Sequence, residues 1–272
     1  MKYVFLLPAV IFFCIFTIWP LGEVFYLSMH ETNFIITKYA GFRNYVSTFS
    51  DPAFRQGMLN TLFYIALLVP ANTFGSLALA LYARRLSKRW QDISRIIFYV
   101  PVLSAGMIIS QVWKWIFNDR GPINWLLGLL HIGSVPWFAQ GITAIPVIVF
   151  IVAFCSVGGN FIIYLSSISG IDKSIFDASK IDGATQRITD MHIIMPIIAP
   201  TILLIAFLSF IQAPAIFENI YALAPQKYAA TMAYHIYLQG FQYGKYGMAS
   251  AQSVILLIAI VIVSAIKQRV TK

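Results

Sequence analysis

The sequence predicts an all-α, polytopic membrane protein with about six transmembrane helices and a polar inner loop between the fourth and fifth. Three observations predict it. The chain has 272 residues, 59% of them hydrophobic and only 11% charged, where a soluble domain carries about a quarter charged residues. Its mean hydropathy is +0.77. Its apolar residues gather into runs of roughly 18 or more, almost free of charge, which is the signature of a membrane-crossing helix.

The six runs are 4–27, 59–83, 96–117, 143–167, 193–212 and 250–266. Each is long enough to cross about 30 Å of hydrocarbon as a helix. Prolines fall in several of them (Pro8, Pro20, Pro70, Pro101, Pro146, Pro196, Pro200). Bundled helices tolerate such kinks because neighbours re-satisfy the freed backbone groups. No soluble-like block interrupts the pattern, so the expectation is one transmembrane domain over 1–272. Its core covers about 57–268, and 1–56 supply the first helix and first outer loop. The first apolar run is longer than the 7–15 residues of a signal-peptide core and has no small-residue cleavage site before Glu23, so it is expected to stay as a helix.

Basic residues set the orientation. With the N-terminus inside, the inner segments hold Lys2, the cluster Arg84, Arg85, Lys88, Arg89 and Arg95, then Lys173, Lys180 and Arg187, and finally Lys267, Arg269 and Lys272. The outer segments hold Lys38, Arg43, Arg55, Lys114, Arg120, Lys227 and Lys245 over about twice the length. Both termini are therefore expected in the cytoplasm. The net charge of +9 is scattered in short patches between apolar runs, which argues against nucleic acid, whose binders cluster Lys and Arg on one solvated face. Cys14 and Cys155 lie in apolar runs and read as small fillers. Between the third and fourth spans, residues 118–130 place Ile123, Leu126, Leu127 and Leu130 at helical spacing after Gly121-Pro122. This predicts a short surface helix, with Trp113, Trp115, Trp125 and Trp137 as interface aromatics.

Residues 171–200, IDKSIFDASKIDGATQRITDMHIIMPIIAP, form the longest markedly polar passage between apolar segments. Asp172 is an expected N-cap for a helix starting at Lys173. Ile175, Ala178 and Ser179 are expected to share a face that a partner's backbone can approach closely. Gly183 closes the helix in the left-handed conformation, and Asp182 caps the next one. This second helix then runs into the apolar Ile193. A short rigid helix pair joined to a membrane helix is a lever that a soluble partner can push.

Four separated segments carry a family resemblance. DASKIDGA, followed by eleven residues and then Pro196, resembles the cytoplasmic loop of ABC importer permeases, E-A-A-x-x-D-G-A with a proline at that spacing. GFRNYVSTFSDPAFRQGMLNT, WKWIFNDRGPINWLLG and YGKYGMASAQSV resemble the first outer loop, a W-x-W-x-F-x-x-x-x-G-x-x-N motif and the segment before the last helix in the carbohydrate-type group of these permeases. The resemblance spans nearly the whole chain. It implies a permease subunit of a bacterial importer that forms half of the pathway for a sugar, oligosaccharide or similar polyol-like solute. It also implies that the lever is a coupling helix docked in an ATPase cleft, with Ile175, Phe176, Asp177, Ala178, Ser179, Asp182, Gly183 and Ala184 as ATPase-coupling residues. Asp177 stands for the family's Glu and Ser179 for an Ala, and Asp190 lies where the family often has an aromatic. The implied partners are a second permease, two cytoplasmic ABC ATPase subunits, an extracytoplasmic solute-binding protein and the lipid bilayer of the cell membrane.

Polar residues in apolar runs are candidates for the substrate pathway: Asn160 beside Gly158-Gly159, Tyr164, Ser209, Gln212, Glu218 and Asn219. The glycines before Asn160 are expected to open the fourth helix locally. Each of these polar side chains can equally serve an interhelical hydrogen bond. No His, Cys and carboxylate grouping has metal-ligand spacing, and no G-x-S-x-G nucleophile motif occurs, so no catalytic residue or resident cofactor is expected. No G-x4-G-K-[ST] phosphate loop occurs either, so ATP and Mg would bind a different polypeptide. The alternative is a self-sufficient secondary transporter or channel. It would show inverted repeats or several intramembrane charges, and neither is evident. A membrane-embedded enzyme would need paired catalytic groups at membrane depth.

Overall fold

The computed structural model describes residues 6–33, 35–104, 106–223 and 228–270, with side chains to residue 265. The expected start of the first span at residues 4 and 5 lies outside the described residues, as do Lys2, Lys227 and Lys272 and the side chains of Lys267 and Arg269. Among the described residues, regular structure is helical but for one ribbon. In order come α1 (Leu7–Ser28), β1 (His30–Thr32), β2 (Thr37–Tyr39), α2 (Arg43–Ser50), α3 (Pro52–Ala83), α4 (Lys88–Leu103), α5 (Gly106–Ile116), α6 (Pro122–Leu129), α7 (Gly141–Ser169), α8 (Lys173–Ile181), α9 (Gln186–Ile197), α10 (Ala199–Ala215), α11 (Glu218–Leu223), α12 (232–242) and α13 (Tyr246–Val270). The ribbon is antiparallel, with Glu31 opposite Lys38.

Among the described residues, α1, α3, α7 and α13 are long and apolar enough to cross a bilayer alone. Two more spans arise if the bent pairs α4–α5 and α9–α10 are each counted as one. The sequence reads these two as plain runs. The structure breaks the first around Pro101 and Ser104 and bends the second by 72° at Ile198. Pro200 opens α10, where a missing N–H costs no hydrogen bond.

The chain forms two compact units, Met1–Leu59 with Ala230–Lys272, and Asn60–Ala229. In the first unit α13 packs on the second half of α1 and on α2. Gly247 makes this possible: a Cβ there would lie 1.9 Å from the His30 carbonyl oxygen. Buried Asn44 ties the same place together, its Nδ2 donating at 2.9 Å to the carbonyls of Ser28 and His30. A second polar knot holds α12. His235, 5% exposed, sits 3.1 Å from Gln252 Oε1 and 3.4 Å from Asp51 Oδ2, under the edge of Phe54. A cavity of about 720 Å³ is lined by the ribbon, α2 and Tyr243–Met248, with Glu31, Lys38, Arg43, Asp51 and Lys245 as its charged groups.

In the second unit the buried core joins α3, α7 and α10 to the polar 171–200 segment. It comprises Leu77, Ala80, Phe161, Tyr164, Leu165, Ile168, Ile194, Ile198 and Ile205 among others. Several polar groups within the helices pair with one another, which lowers the cost of burying them. Ser167 and Thr201 hydroxyls lie 2.9 Å apart and join α7 to α10. Ser156 Oγ has one proton and two acceptors at 2.9 Å, Val152 O and Asn72 Oδ1. Turning the Asn72 amide end for end gives this oxygen a donor and satisfies the buried Nδ2 as well. Of the four tryptophans expected as interface aromatics, Trp115 and Trp125 are exposed. Trp113 and Trp137 are not: Trp113 packs edge-on against Phe150 and Phe154, and Trp137 donates to Asn124 Oδ1.

The expected opening at Gly158-Gly159-Asn160 does not occur. Helix α7 runs unbroken from Gly141 to Ser169. Gly158 instead lets α4 cross at backbone contact: a Cβ there would lie 1.8 Å from the Phe98 carbonyl oxygen, while Gly159 faces open space. Gly158→Ala is therefore expected to destabilise the chain by about 1–3 kcal/mol through overpacking, and Gly159→Ala to leave it unchanged. Thermal unfolding of the two variants in detergent checks the contrast.

Candidate functional site

Helix α8 begins and ends as its sequence dictates. The Asp172 carboxylate accepts from the Ser174 backbone N–H at 2.9 Å and caps the first turn. The backbone N–H of Ser174, and then its hydroxyl, hold this exposed carboxyl below the ordinary carboxylate range. At the other end Gly183 takes φ +72°. Its N–H donates to Lys180 O at 3.1 Å, and the Ala184 N–H donates to Ser179 O at 2.9 Å. This is the paired Schellman closure, which a Cβ at the left-handed position would strain. Asp182 does not cap the next helix. Thr185 does, its hydroxyl accepting from the Ile188 N–H at 3.4 Å, because the left-handed Gly183 turns the chain and α9 starts only at Gln186.

The faces of α8 sort differently from the expected small-residue face. Ser179 points inward, 5% exposed, with its hydroxyl bonded to Phe176 O. Phe176 packs against the buried core. The outward surface carries Ile175, Asp177, Ala178, Lys180, Ile181 and Asp182. Ile181 is 86% exposed, a large apolar side chain at the tip of an otherwise polar helix. Asp177 pairs with Lys180 at 3.1 Å, but both are well exposed, and such a pair contributes about 0–1 kcal/mol and re-partners readily.

The strongest interaction in the region is absent from the sequence-based expectations. Asp190, in a π turn of α9, is buried with its side chain 8% exposed. Arg84 at the end of α3 donates from Nε at 3.0 Å and from Nη2 to Asp190 Oδ1, and Arg85 donates from Nη2 to Oδ2. Both carboxylate oxygens are thus engaged by guanidinium groups, the strongest class of hydrogen bond available to a side chain. The Arg84 guanidinium also lies 5.9 Å from the centroid of Phe176, within cation–π range. Gln91 closes the same corner by donating to the carbonyls of Leu86 at 2.9 Å and Arg84 at 3.3 Å, which the end of α3 leaves open. One signal is available in the sequence: a lone acid at the boundary of an apolar run must find a base, and Arg84-Arg85 stands at the end of another run.

The six pathway candidates do not share one environment. Tyr164 is fully buried in the core, so its ring faces no open path in this conformation. Ser209 is buried in α10 and Asn160 is half-buried in α7. Asn219 donates to Ser110 Oγ at 2.9 Å and holds α11 against α5. Lys114 and Gln111 reinforce that contact by donating to Ala222 O. Gln212 and Glu218 are exposed. No group of three His, Cys, Asp or Glu side chains placed to hold a metal occurs among the described residues.

No protein-family model matches the chain. It is 27% identical to the probable ABC transporter permease protein YurN of Bacillus subtilis (strain 168), over 99% of this chain and 95% of that protein. It is 25% identical to the arabinooligosaccharides transport system permease protein AraP of the same organism, over 99% of this chain and 88% of that one. The chain is thus similar to ABC transporter permeases along nearly its whole length. The fold agrees with this similarity. A chain of the bacterial alginate ABC transporter, solved in complex with an alginate pentasaccharide-bound periplasmic protein, superposes with a TM-score of 0.87 at 23% identity, covering 100% of this permease and 95% of that chain. The permease is the membrane-spanning, non-catalytic component of such a system.

Removing one side of the buried ion pair leaves a charge uncompensated, so Asp190→Ala is expected to cost about 3–5 kcal/mol, measurable as a lower unfolding midpoint. The Asp172 cap has a pH signature. Its folded pKa is depressed, so its contribution is complete above the unfolded carboxylate value of about 3.9 and is lost as pH falls through the lower folded value. The protection factor of the Ser174 amide against hydrogen exchange should therefore fall in acid in the native permease, but not in Asp172→Asn, whose cap does not titrate.

Proposed function

We propose that this permease forms half of the translocation pathway of a bacterial importer for a sugar, oligosaccharide or similar polyol-like solute. In this reading it crosses the cytoplasmic membrane six times, with both termini inside, as one transmembrane domain. A second permease supplies the other half of the pathway. Two cytoplasmic ABC ATPase subunits bind ATP and Mg, and an extracytoplasmic binding protein delivers the solute. Similarity to an arabinooligosaccharide permease and to the alginate transporter supports the carbohydrate class. The density of Arg and Lys between residues 84 and 95 supports the orientation.

One observation carries the coupling role. Helix α8 is anchored inward through Phe176 and Ser179, yet turns Ile175, Ala178, Ile181 and Asp182 outward. An apolar tip on a polar helix, held rigidly from behind, is suited to a cleft on a soluble partner. Asp177, Gly183 and Ala184 complete the docking surface, with Asp177 free to exchange Lys180 for a basic group of the partner. The polar cavity of the first unit belongs to the first outer loop and to the segment before the last span, and presents Lys38 and Lys245 to the binding protein.

Co-purification tests this. The permease is expected to bring down an ATPase, and Ile181→Asp is expected to release it while leaving the unfolding midpoint unchanged, since Ile181 has no buried contact to lose. Retention of the ATPase by Ile181→Asp and by Gly183→Trp together would refute the docking role. ATP-independent solute uptake by the chain alone in liposomes would favour the secondary-transporter reading instead.

A further inference from the structure

We propose that the Arg84–Asp190–Arg85 cluster is the joint that forces the end of α3 to follow any movement of the α8–α9 elbow, with Asp190 as its positioning residue. The proposal rests on the coupling reading of α8. Three elements meet at this one place, α8 and α9 consecutive in the chain and the end of α3 106 positions before Asp190. Arg84 and Arg85 end α3, Phe176 is the inward anchor of α8, and Asp190 lies in the first turns of α9. A joint of packed aliphatic side chains can slide, because apolar contacts have no direction. This joint cannot slide cheaply. Both oxygens of Asp190 are held, and its side chain and that of Arg84 are 8% and 18% exposed. If α9 moved without α3, a guanidinium and a carboxylate would be left buried and apart, so the lowest-energy displacement moves both together. Burial also removes most of the screening that weakens a surface pair in salt.

The two arms are unequal. Arg84 is doubly bonded to Asp190 and lies within cation–π range of Phe176, so it links the carboxylate to α8 as well as to α3. Arg85 is 39% exposed and makes a single contact. Arg84 is therefore the principal arm and Arg85 the outer stay. The π turn at Thr189–Ile194 serves this geometry, since one extra residue per turn rotates the rest of α9 by about 100° relative to a regular helix.

Two measurements test the joint on the full chain. In liposomes, spin labels at Ser87→Cys and Lys173→Cys, with Cys14 and Cys155 replaced by Ser, report the separation of the elbow from the end of α3. The native chain and Asp190→Glu are expected to give one narrow distance distribution, and Asp190→Asn a broad one. In the assembled transporter, solute imported per ATP hydrolysed is expected to fall about fivefold or more in Asp190→Asn, the range of an ordinary coupling energy, while ATPase co-purification stays at the native level. Asp190→Glu is expected to retain the native ratio. A narrow distribution in Asp190→Asn, or a native import ratio, overturns the joint. If Asp190→Asn does not accumulate, Arg84→Gln removes the principal arm while Arg85 still neutralises the carboxylate, and an unchanged distribution in that variant overturns it equally. Failure of the native chain to bind an ATPase would sink the coupling reading, whereas the distances are measured without ATPase and judge the joint separately.

Discussion

Burying the Asp190 carboxylate against two guanidinium groups is the constraint on which the second unit depends. A carboxylate with 8% of its side chain exposed, in a chain that is 59% hydrophobic, has almost no other source of stabilisation. Its demand for partners determines where the end of α3 lies relative to α9, and through Phe176 where α8 rests. The neighbouring core of Leu77, Ala80, Phe161 and Ile194 supplies the bulk of the apolar burial. That core brings the helices together, whereas the ion pair selects one arrangement among the many an oily interface would accept.

Labour is divided along the 171–200 segment. Local chemistry builds its pieces: a carboxylate cap at Asp172, a Schellman closure at Gly183, a hydroxyl cap at Thr185. Each involves groups within a few residues of one another, and none needs the rest of the fold. Long-range contacts then decide which way the pieces face. Phe176 and Ser179 turn inward because the core and the guanidinium of Arg84 lie on that side, and Ile181 is left outside. The proposed docking surface is thus the part of α8 that remains after the inward face has been satisfied.

Glycine and proline act in two distinct ways in this permease. Gly183 is needed for its backbone angle, since open space surrounds it. Gly158 and Gly247 have ordinary backbone angles and are needed because another chain segment occupies the position of a side chain. Pro196 and Pro200 flank the break at Ile198 and allow the 72° bend without losing hydrogen bonds that a straight helix would require. The same residue types therefore carry different structural meanings. That is why Gly158-Gly159-Asn160 reads as a helix opening in sequence and is a crossing point in the fold.

Taken alone, the amino-acid sequence specifies the class of molecule, the helical content, the polar elbow with its Asp172 and Gly183 ends, and the kinship with ABC permeases, because these depend on composition, on near-neighbour spacing and on motif order. It also places the short helix at Pro122–Leu129 from a few spaced leucines. Packing in three dimensions settles the bends in α4–α5 and α9–α10, the inward turn of Ser179, the full burial of Tyr164, and the pairing of Arg84 and Arg85 with Asp190. Residues 84 and 190 are 106 positions apart. A single sequence carries no record of which distant charge another charge will meet, and only the packing of the helices between them brings the two within a hydrogen bond's reach.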